Sequence, residues 1–149
     1  MAATRNAAWG AAREPAGGTP GCTMEHQPKK AAMNNFADQD RKQAEWAERA
    51  YRAQAAAAQA LERLLDLAET RDSGQIRTVA HFIAATFDGQ TFPFDLFDLR
   101  TVDVEISDDM LLCLDALRWG KADLYKLVPN GEQRILAICK YWGFEWPDR

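Results

Sequence analysis

The residues best suited to chemistry are two histidines and three cysteines, and their spacing does not suggest catalysis. Nucleophilic catalysis needs a nucleophile beside a base. His26 lies in a stretch rich in glycine and proline, and His81 lies behind the apolar stripe of a predicted helix, where it should face solvent. Cys113 and Cys139 occupy apolar stripes, as inert buried thiols do. Because the sequence has no CxxC pair and no phosphate-binding glycine motif, it predicts a non-enzymatic protein without a cofactor.

Acidic side chains between residues 88 and 115 allow a binding role. They suit a hard cation such as Mg²⁺ or Ca²⁺, but they lack the glycine and the spacing of a calcium loop, so we predict no metal site. An acidic surface that steers a basic protein partner is the stronger functional hypothesis. The alternative is a solvated surface that keeps the chain soluble. The candidate partner-binding acidic face comprises Asp95, Asp98, Asp103, Glu105, Asp108 and Asp109.

Charge is divided unevenly along the 149 residues, whose formal net charge is −4. Residues 1–60 carry 8 basic and 6 acidic side chains (+2), and residues 61–149 carry 10 basic and 16 acidic ones (−6). An acidic domain disfavours a function in nucleic-acid recognition, because such proteins need a basic surface. A regulator that binds nucleic acid through the basic N-terminal arm remains the alternative, and a metal-dependent enzyme ranks third. No apolar run is long enough to span a membrane, so a cytoplasmic location is expected.

The first 35 residues predict a disordered tail, because glycine and proline are frequent and bulky apolar residues are scarce. Residues 1–23 resemble translated upstream sequence from a GC-rich genome. We therefore predict that the native chain starts at Met24, with Met33 as a second option. A transit peptide is the other interpretation of this arginine-bearing, acid-poor opening.

One long helix is predicted over residues 36–70, with its alanine-rich part, residues 36–60, protruding from a compact domain of residues 61–149. Apolar residues recur at alternating steps of four and three, as in a coiled coil. The stripe predicts self-association or packing against another protein's helix. A solvent-exposed alanine helix is the alternative. The candidate oligomerisation seam is Trp46, Ala50, Ala53, Ala57 and Ala60.

The remaining segments predict further helices, giving an all-α bundle of four main helices and one or two short ones. One helix covers residues 73–87, with Asp72 as its cap and Gln75 in a capping box. Another starts at Asp103 or at Ser107 and ends at Gly120, and it carries apolar residues outside its main stripe, so we expect burial on more than one side. A last helix spans residues 131–142, and the aromatic residues after it should fold back on the domain.

The stretch TFPFDLFDLRTVD, residues 91–103, predicts an aromatic wedge followed by one short capped helix. Pro93 holds Phe92 extended. Asp95 suits the N-cap, and Phe94 and Leu99 have the spacing of a hydrophobic staple. The alternative is an exposed aromatic and acidic docking loop.

These motifs resemble a proteobacterial family of small helical proteins known as a domain of unknown function. The resemblance covers residues from about 60 to 145, rests mainly on FPFDLFDLR, and includes the turn Asp72-Ser73-Gly74 and the late Trp142-Gly143. It implies a compact helical domain, brings no catalytic residues and suggests an association with mobile elements. The sequence therefore predicts a bacterial accessory protein that acts through protein–protein interaction.

Overall fold

The computed structural model describes Gly17 and residues 28–147, and every regular element in that part of the chain is a helix. The predicted all-α bundle of four main helices and two short ones is therefore confirmed. In chain order the elements are α1 (Pro28–Thr70), α2 (Gly74–Phe87), a first 3-10 helix (Leu96–Thr101), α3 (Val104–Trp119), a second 3-10 helix (Leu124–Leu127) and α4 (Gly131–Trp142).

Helix α1 begins earlier than the sequence predicted. Its first residue is Pro28, eight residues before the expected start. Proline is favoured at the first helical position because its fixed φ suits a helix and its missing N–H would be unpaired there. Residues 28–35 are therefore helical rather than part of a disordered tail. The rest of that predicted tail, with the proposed start at Met24, lies outside the described residues except for Gly17.

The C-terminal half of α1 forms the centre of the core. Leu61, Leu64 and Leu65 are fully buried there. Helix α3 runs antiparallel to α1, since Arg63 contacts Asp109 and Ala57 contacts Cys113, and α2 and α4 also pack on α1. The buried part of α1 already starts at Ala50. The contacts of the compact domain therefore extend over eleven residues of α1, 50–60, that the sequence prediction placed in the protruding helix.

Helix α3 buries a single face. Ile106, Met110 and Cys113 pack into the core on that face. The prediction that α3 is buried on more than one side was wrong, because the apolar residues outside its buried face are exposed. Its exposed apolar side chains are Val104, Leu111, Leu112 and Leu117.

Several helix ends follow the predicted local chemistry. Gly120 and Gly143 end α3 and α4 in the left-handed conformation, with φ of 59° and 72°. The predicted capping box at α2 does not form. Ser73 is the N-cap, and Gln75 instead forms two 3.1 Å hydrogen bonds with Asp103, which precedes α3. These two hydrogen bonds connect the start of α2 to the start of α3.

The residues after α4 fold back as an aromatic strap, as predicted. The ring centroid of Trp146 lies 4.8 Å from that of Phe92. His81 was predicted to face solvent, but it is half-buried, with ring centroids of Phe94 and Phe144 at 5.9 and 5.4 Å. The prediction failed because the strap and the FPF segment cover a helix face that α2 alone would expose.

Arg134 joins α4 to α1 through three carboxylates. Its guanidinium lies 2.6 Å from Glu62, 2.8 Å from Asp66 and 2.8 Å from Glu69. The side chain of Arg134 is mostly buried, and these charged hydrogen bonds raise its pKa above the ordinary value. The three acids share one face of α1, so they would repel one another without the cation.

We expect Arg134→Met to lower the free energy of unfolding by about 1–2 kcal/mol, since three partly solvated carboxylates lose their common partner. Arg134→Lys should recover only part of the loss, because an ammonium lacks the planar fork of donors. Urea unfolding measures both. Arg41→Met is the control, because Arg41 pairs only with Asp38 on the exposed part of α1. An equal loss in Arg41→Met and Arg134→Met would contradict this description.

Candidate partner-binding surface

The predicted acidic face is largely committed to structural roles within the chain. Asp95 caps the first 3-10 helix by accepting a 2.9 Å hydrogen bond from the N–H of Phe97. Asp103 is bound to Gln75 as described above. Asp98 is half-buried in a cleft of about 430 Å³ whose lining includes Arg77 and His81. These three carboxylates therefore do not form one free surface.

Asp109 is also paired. It accepts two hydrogen bonds, of 3.0 and 2.5 Å, from the guanidinium of Arg63 on α1. Of the six predicted acids, Glu105 and Asp108 remain exposed at the start of α3 without such a bond. A cleft of about 420 Å³ that Glu105 helps to line contains both signs of charge, with Arg63, Asp66, Arg71, Asp103 and Asp109 as its other charged residues. Four of the six acids are thus exposed, and two of those four, Asp95 and Asp103, also hold local structure through hydrogen bonds.

The described residues contain no group of three or more His, Cys, Asp or Glu side chains placed to hold a metal ion. No described helix is long and apolar enough to cross a membrane.

The thiols of Cys113 and Cys139 lie in the core. Burial raises the pKa of Cys113 to about 12, with nearby Asp109 adding to the rise and Arg63 opposing it. Burial also raises the pKa of Cys139. Both thiols therefore stay protonated near neutral pH, and Cys113 lies 4.0 Å from the carbonyl oxygen of Ala57 on α1.

The raised pKa of Cys113 predicts a loss of stability at alkaline pH. Above the ordinary thiol pKa of 9.0, the unfolded chain releases a proton that the folded chain keeps up to about pH 12. Unfolding then becomes more favourable by about 1.4 kcal/mol per pH unit over that interval, and the contribution is fully present below pH 9. Urea unfolding of the native protein and of Cys113→Ala from pH 8 to 10.5 should show the native curve falling more steeply. Parallel curves would contradict the prediction.

The alanines of the predicted oligomerisation seam are covered within the same chain. Ala50, Ala53, Ala57 and Ala60 are all buried, mainly because α3 packs along this stripe of α1. Only Trp46 of the predicted seam is exposed. As a surface for another molecule, the alanine part of the seam was therefore predicted wrongly: small side chains let α3 of the same chain approach closely.

The stripe continues beyond the end of α3, where none of the residues that the structure describes packs over Phe36 or Trp46. Residues 28–49 of α1, which we name the arm, extend about 33 Å at the usual rise of a helix. Trp46 is 52% exposed, and Phe36, further along the same stripe, is 67% exposed. The arm therefore presents large aromatic side chains on the helix face that is core-facing in the rest of α1.

The sequence carried a signal for this surface that the predicted seam did not use. The alternating steps of four and three extend from Trp46 back through Gln43 and Gln39 to Phe36. Phe36 and Trp46 are the apolar members of this repeat, and Gln39 and Gln43 between them are polar. Tyr51 is 71% exposed but lies off the stripe, next to the buried Ala50.

The FPF motif and the residues that follow it carry both buried and exposed apolar side chains. Phe92, Phe94 and Leu99 pack on the core, as the wedge interpretation requires. Pro93 is exposed, and Leu96 and Phe97 also project outward. A small apolar patch therefore accompanies a structural turn, and it lies on a different element from the arm.

The family match includes most of the compact domain and excludes the arm. Residues 58–143 match the model of a family described as "Family of unknown function (DUF7673)". The chain belongs to this family. The DUF7673 match begins inside α1 and ends after α4, so it contains α2, α3, α4 and both 3-10 helices but not the arm. The predicted resemblance is confirmed at the level of a family of unknown function. No curated protein and no solved structure matches the chain.

Proposed function

We propose that this DUF7673 protein is a non-enzymatic interaction module whose arm binds a protein partner. The observation that carries the proposal is the uncovered continuation of the buried stripe, with Phe36 and Trp46 exposed beyond the end of α3. Large aromatic residues dominate the binding energy of protein interfaces. A helix that displays an apolar stripe typically docks against another helix or into a groove.

The compact domain serves as the support of the arm. Helix α1 is continuous from Pro28 to Thr70, so the arm is anchored by the buried Leu61, Leu64 and Leu65 of its own helix. An arm that is already helical loses less conformational entropy on binding than a disordered peptide does. We therefore propose that the compact domain holds the arm as a preformed helix, with Phe36 and Trp46 exposed for the partner.

The exposed acids of α3 add a secondary contact in this proposal. Glu105 and Asp108 favour a partner whose surface is basic near the domain, and such steering should weaken with salt. A regulator that binds nucleic acid through the basic arm has less support. Two basic side chains of α1, Arg41 and Arg52, are paired with Asp38 and Glu48 at 2.7 and 2.9 Å.

Affinity capture with matched variants tests the proposal. The bait is the full chain carrying Phe36→Glu and Trp46→Glu, and the control is Tyr51→Glu, which adds the same charge off the stripe. Glutamate is a good helix former, so all baits should keep the native far-UV circular dichroism. We expect one specific protein to be retained by the native chain and by the Tyr51→Glu control, and to be lost with the double variant.

Equal retention of the same partner by all three baits would contradict the role of the arm. Retention of duplex DNA at physiological salt, abolished by Lys42→Glu and Arg49→Glu, would favour the nucleic-acid alternative.

A further inference from the structure

A cleft of about 430 Å³ lies along the first half of α2, on a part of the molecule that the arm does not reach. Its volume is within the range of about 300–1,000 Å³ that is usual for small-molecule sites. Helix α2 supplies most of the lining from one face, and the first 3-10 helix and the strap add one residue each. The lining residues are Gly74, Arg77, Thr78, His81, Asp98 and Phe144.

Asp98 is the acid of the FPFDLFDLR stretch whose carboxylate holds no local structure. Asp95 caps the 3-10 helix with its side chain, whereas Asp98 uses only its backbone. Its N–H donates to the carbonyl oxygen of Asp95 at 3.0 Å, and its carbonyl oxygen accepts a 2.7 Å hydrogen bond from the hydroxyl of Thr101. Within the described part of the chain, the half-buried carboxylate has no hydrogen bond and no ion pair. Because removing a charge from water is costly unless the charge is paired, this carboxylate suits a cationic group that enters the cleft.

Arg77 brings the opposite charge to the same cleft. Its guanidinium lies 5.3 Å from the ring centroid of Phe144 and donates one hydrogen bond, of 3.4 Å, to the carbonyl oxygen of Trp142. These contacts hold it against the strap. A guanidinium has five N–H donors, so Arg77 keeps donors for an anion, and no acid among the described residues pairs with it.

Two opposite charges that line one cleft without pairing match a ligand that carries both charges. A simple anion would be attracted by Arg77 and repelled by Asp98, and a simple cation would meet the reverse. We propose that the cleft binds a free α-amino acid with a large apolar side chain. The ligand's carboxylate accepts hydrogen bonds from Arg77 and from the hydroxyl of Thr78, and its ammonium group donates to Asp98.

The rings of His81 and Phe144 provide the apolar wall for the ligand's side chain. Their centroids lie 5.4 Å apart, and Phe94 contacts the imidazole at a centroid distance of 5.9 Å. Because the imidazole is held by two aromatic neighbours, the wall is formed before a ligand arrives. Aromatic faces pack well against apolar and aromatic groups, which favours a ligand such as phenylalanine over a small polar amino acid.

This inference goes beyond the proposed function and does not rest on it. Helix α2 begins four residues after α1 ends at Thr70. That end of α1 is about 30 Å along the helix from the end of the arm at residue 49. A failed test of the cleft would therefore leave the arm's proposed role intact, and the reverse also holds.

Two-dimensional NMR of the full isotope-labelled chain, titrated with three matched probes, tests the proposal. L-Phenylalanine carries both charges, 3-phenylpropanoate lacks the ammonium group and 2-phenylethylamine lacks the carboxylate. We expect L-phenylalanine to shift the amide signals of the lining residues with a dissociation constant below about 1 mM. Each of the other probes should bind at least about tenfold more weakly, because each lacks one charged hydrogen-bonding group. Unshifted signals at about 10 mM L-phenylalanine would overturn the inference, as would equal binding of either single-charge probe.

Asp98→Asn removes the proposed contact with the ammonium group and keeps the shape of the side chain. Binding of L-phenylalanine should weaken at least about tenfold, and 3-phenylpropanoate should bind no more weakly than before, since a repelling charge is gone. Asp108→Asn is the matched control, because Asp108 is an exposed acid that does not line the cleft. Unchanged binding of L-phenylalanine in Asp98→Asn, or equal weakening in the control, would overturn the assignment.

Arg77→Met should have the complementary effect. L-Phenylalanine and 3-phenylpropanoate should both bind at least about tenfold more weakly, while 2-phenylethylamine should bind no more weakly than before. This pattern separates a lost charge from a distorted cleft, because distortion would weaken all three probes. Weakening of all three probes in both Arg77→Met and Asp98→Asn would contradict the proposed placement of the two charges.

Discussion

Replacing Gly131 by alanine should lower the free energy of unfolding by about 3 kcal/mol, at the upper end of the usual cost of overpacking. Gly131 opens α4 and is buried against the second 3-10 helix. An added Cβ would overlap the carbonyl oxygen of Tyr125 and lie 2.8 Å from the Cγ2 of Val128. The oxygen belongs to the backbone, so the clash can be relieved only by moving α4 away from the helix it contacts.

Gly74→Ala is the matched control for that substitution. Gly74 is also the first residue of an α-helix, but a Cβ there would meet no atom within 4 Å. Alanine should therefore stabilise the chain slightly, by up to about 1 kcal/mol, because glycine loses more backbone entropy on folding. Urea unfolding of both variants measures the contrast. A loss in Gly131→Ala no larger than the change in Gly74→Ala would contradict the close contact between α4 and the second 3-10 helix.

The second large effect is expected at Met110. This side chain is fully buried on the inner face of α3, among the residues that pack on α1. Met110→Ala should lower the free energy of unfolding by about 2–5 kcal/mol, the range for core truncations that leave a cavity. Differential scanning calorimetry and urea unfolding should agree on the size of the loss.

Leu111→Ala supplies the control, because Leu111 is the next residue along α3 and is 52% exposed. Its truncation should change the free energy of unfolding by less than about 0.5 kcal/mol, as expected for exposed positions. Equal losses at the two positions would show that a second layer covers the outer face of α3, as the sequence had predicted.

The sequence predicted the fold well where local chemistry decides it. Helix formers and apolar periodicity placed the main helices. Gly120 and Gly143 marked two helix ends, because only a residue without a side chain adopts the left-handed conformation easily. Asp95 was identified as a cap because its carboxylate can accept a hydrogen bond from the next turn, and it does so from Phe97.

Contacts between distant parts of the chain determine which side chains are covered, and the sequence did not predict these contacts. Asp103 and Asp109 looked like free acids because their partners, Gln75 and Arg63, lie 28 and 46 residues away. The buried alanines of α1 looked available because nothing local shows that α3 covers them. His81 looked exposed because the strap that covers it comes from the far end of the domain. In each case the environment of the side chain is determined by a contact with a residue far away in the sequence.

The candidate surface is the part of α1 that these long-range contacts do not reach. Helix α3 ends at Trp119, whose ring lies beside the guanidinium of Arg49, and the stripe of α1 changes there from buried at Ala50 to exposed at Trp46. The length of α3 relative to α1, rather than any single motif, therefore determines which part of the stripe is free. That relation could not be read from the stripe alone, which has the same spacing on both sides of Ala50.

Hydroxyl-radical footprinting with mass spectrometry tests the central claim, that the arm's stripe is open in the isolated chain and covered in the bound one. We expect Phe36 and Trp46 to be oxidised rapidly in the isolated protein and to become protected when the captured partner is bound. Tyr51, exposed on the same helix but off the stripe, should react equally in both states. Protection of Phe36 and Trp46 already in the dilute monomer, or equal protection of Tyr51 on binding, would contradict the account.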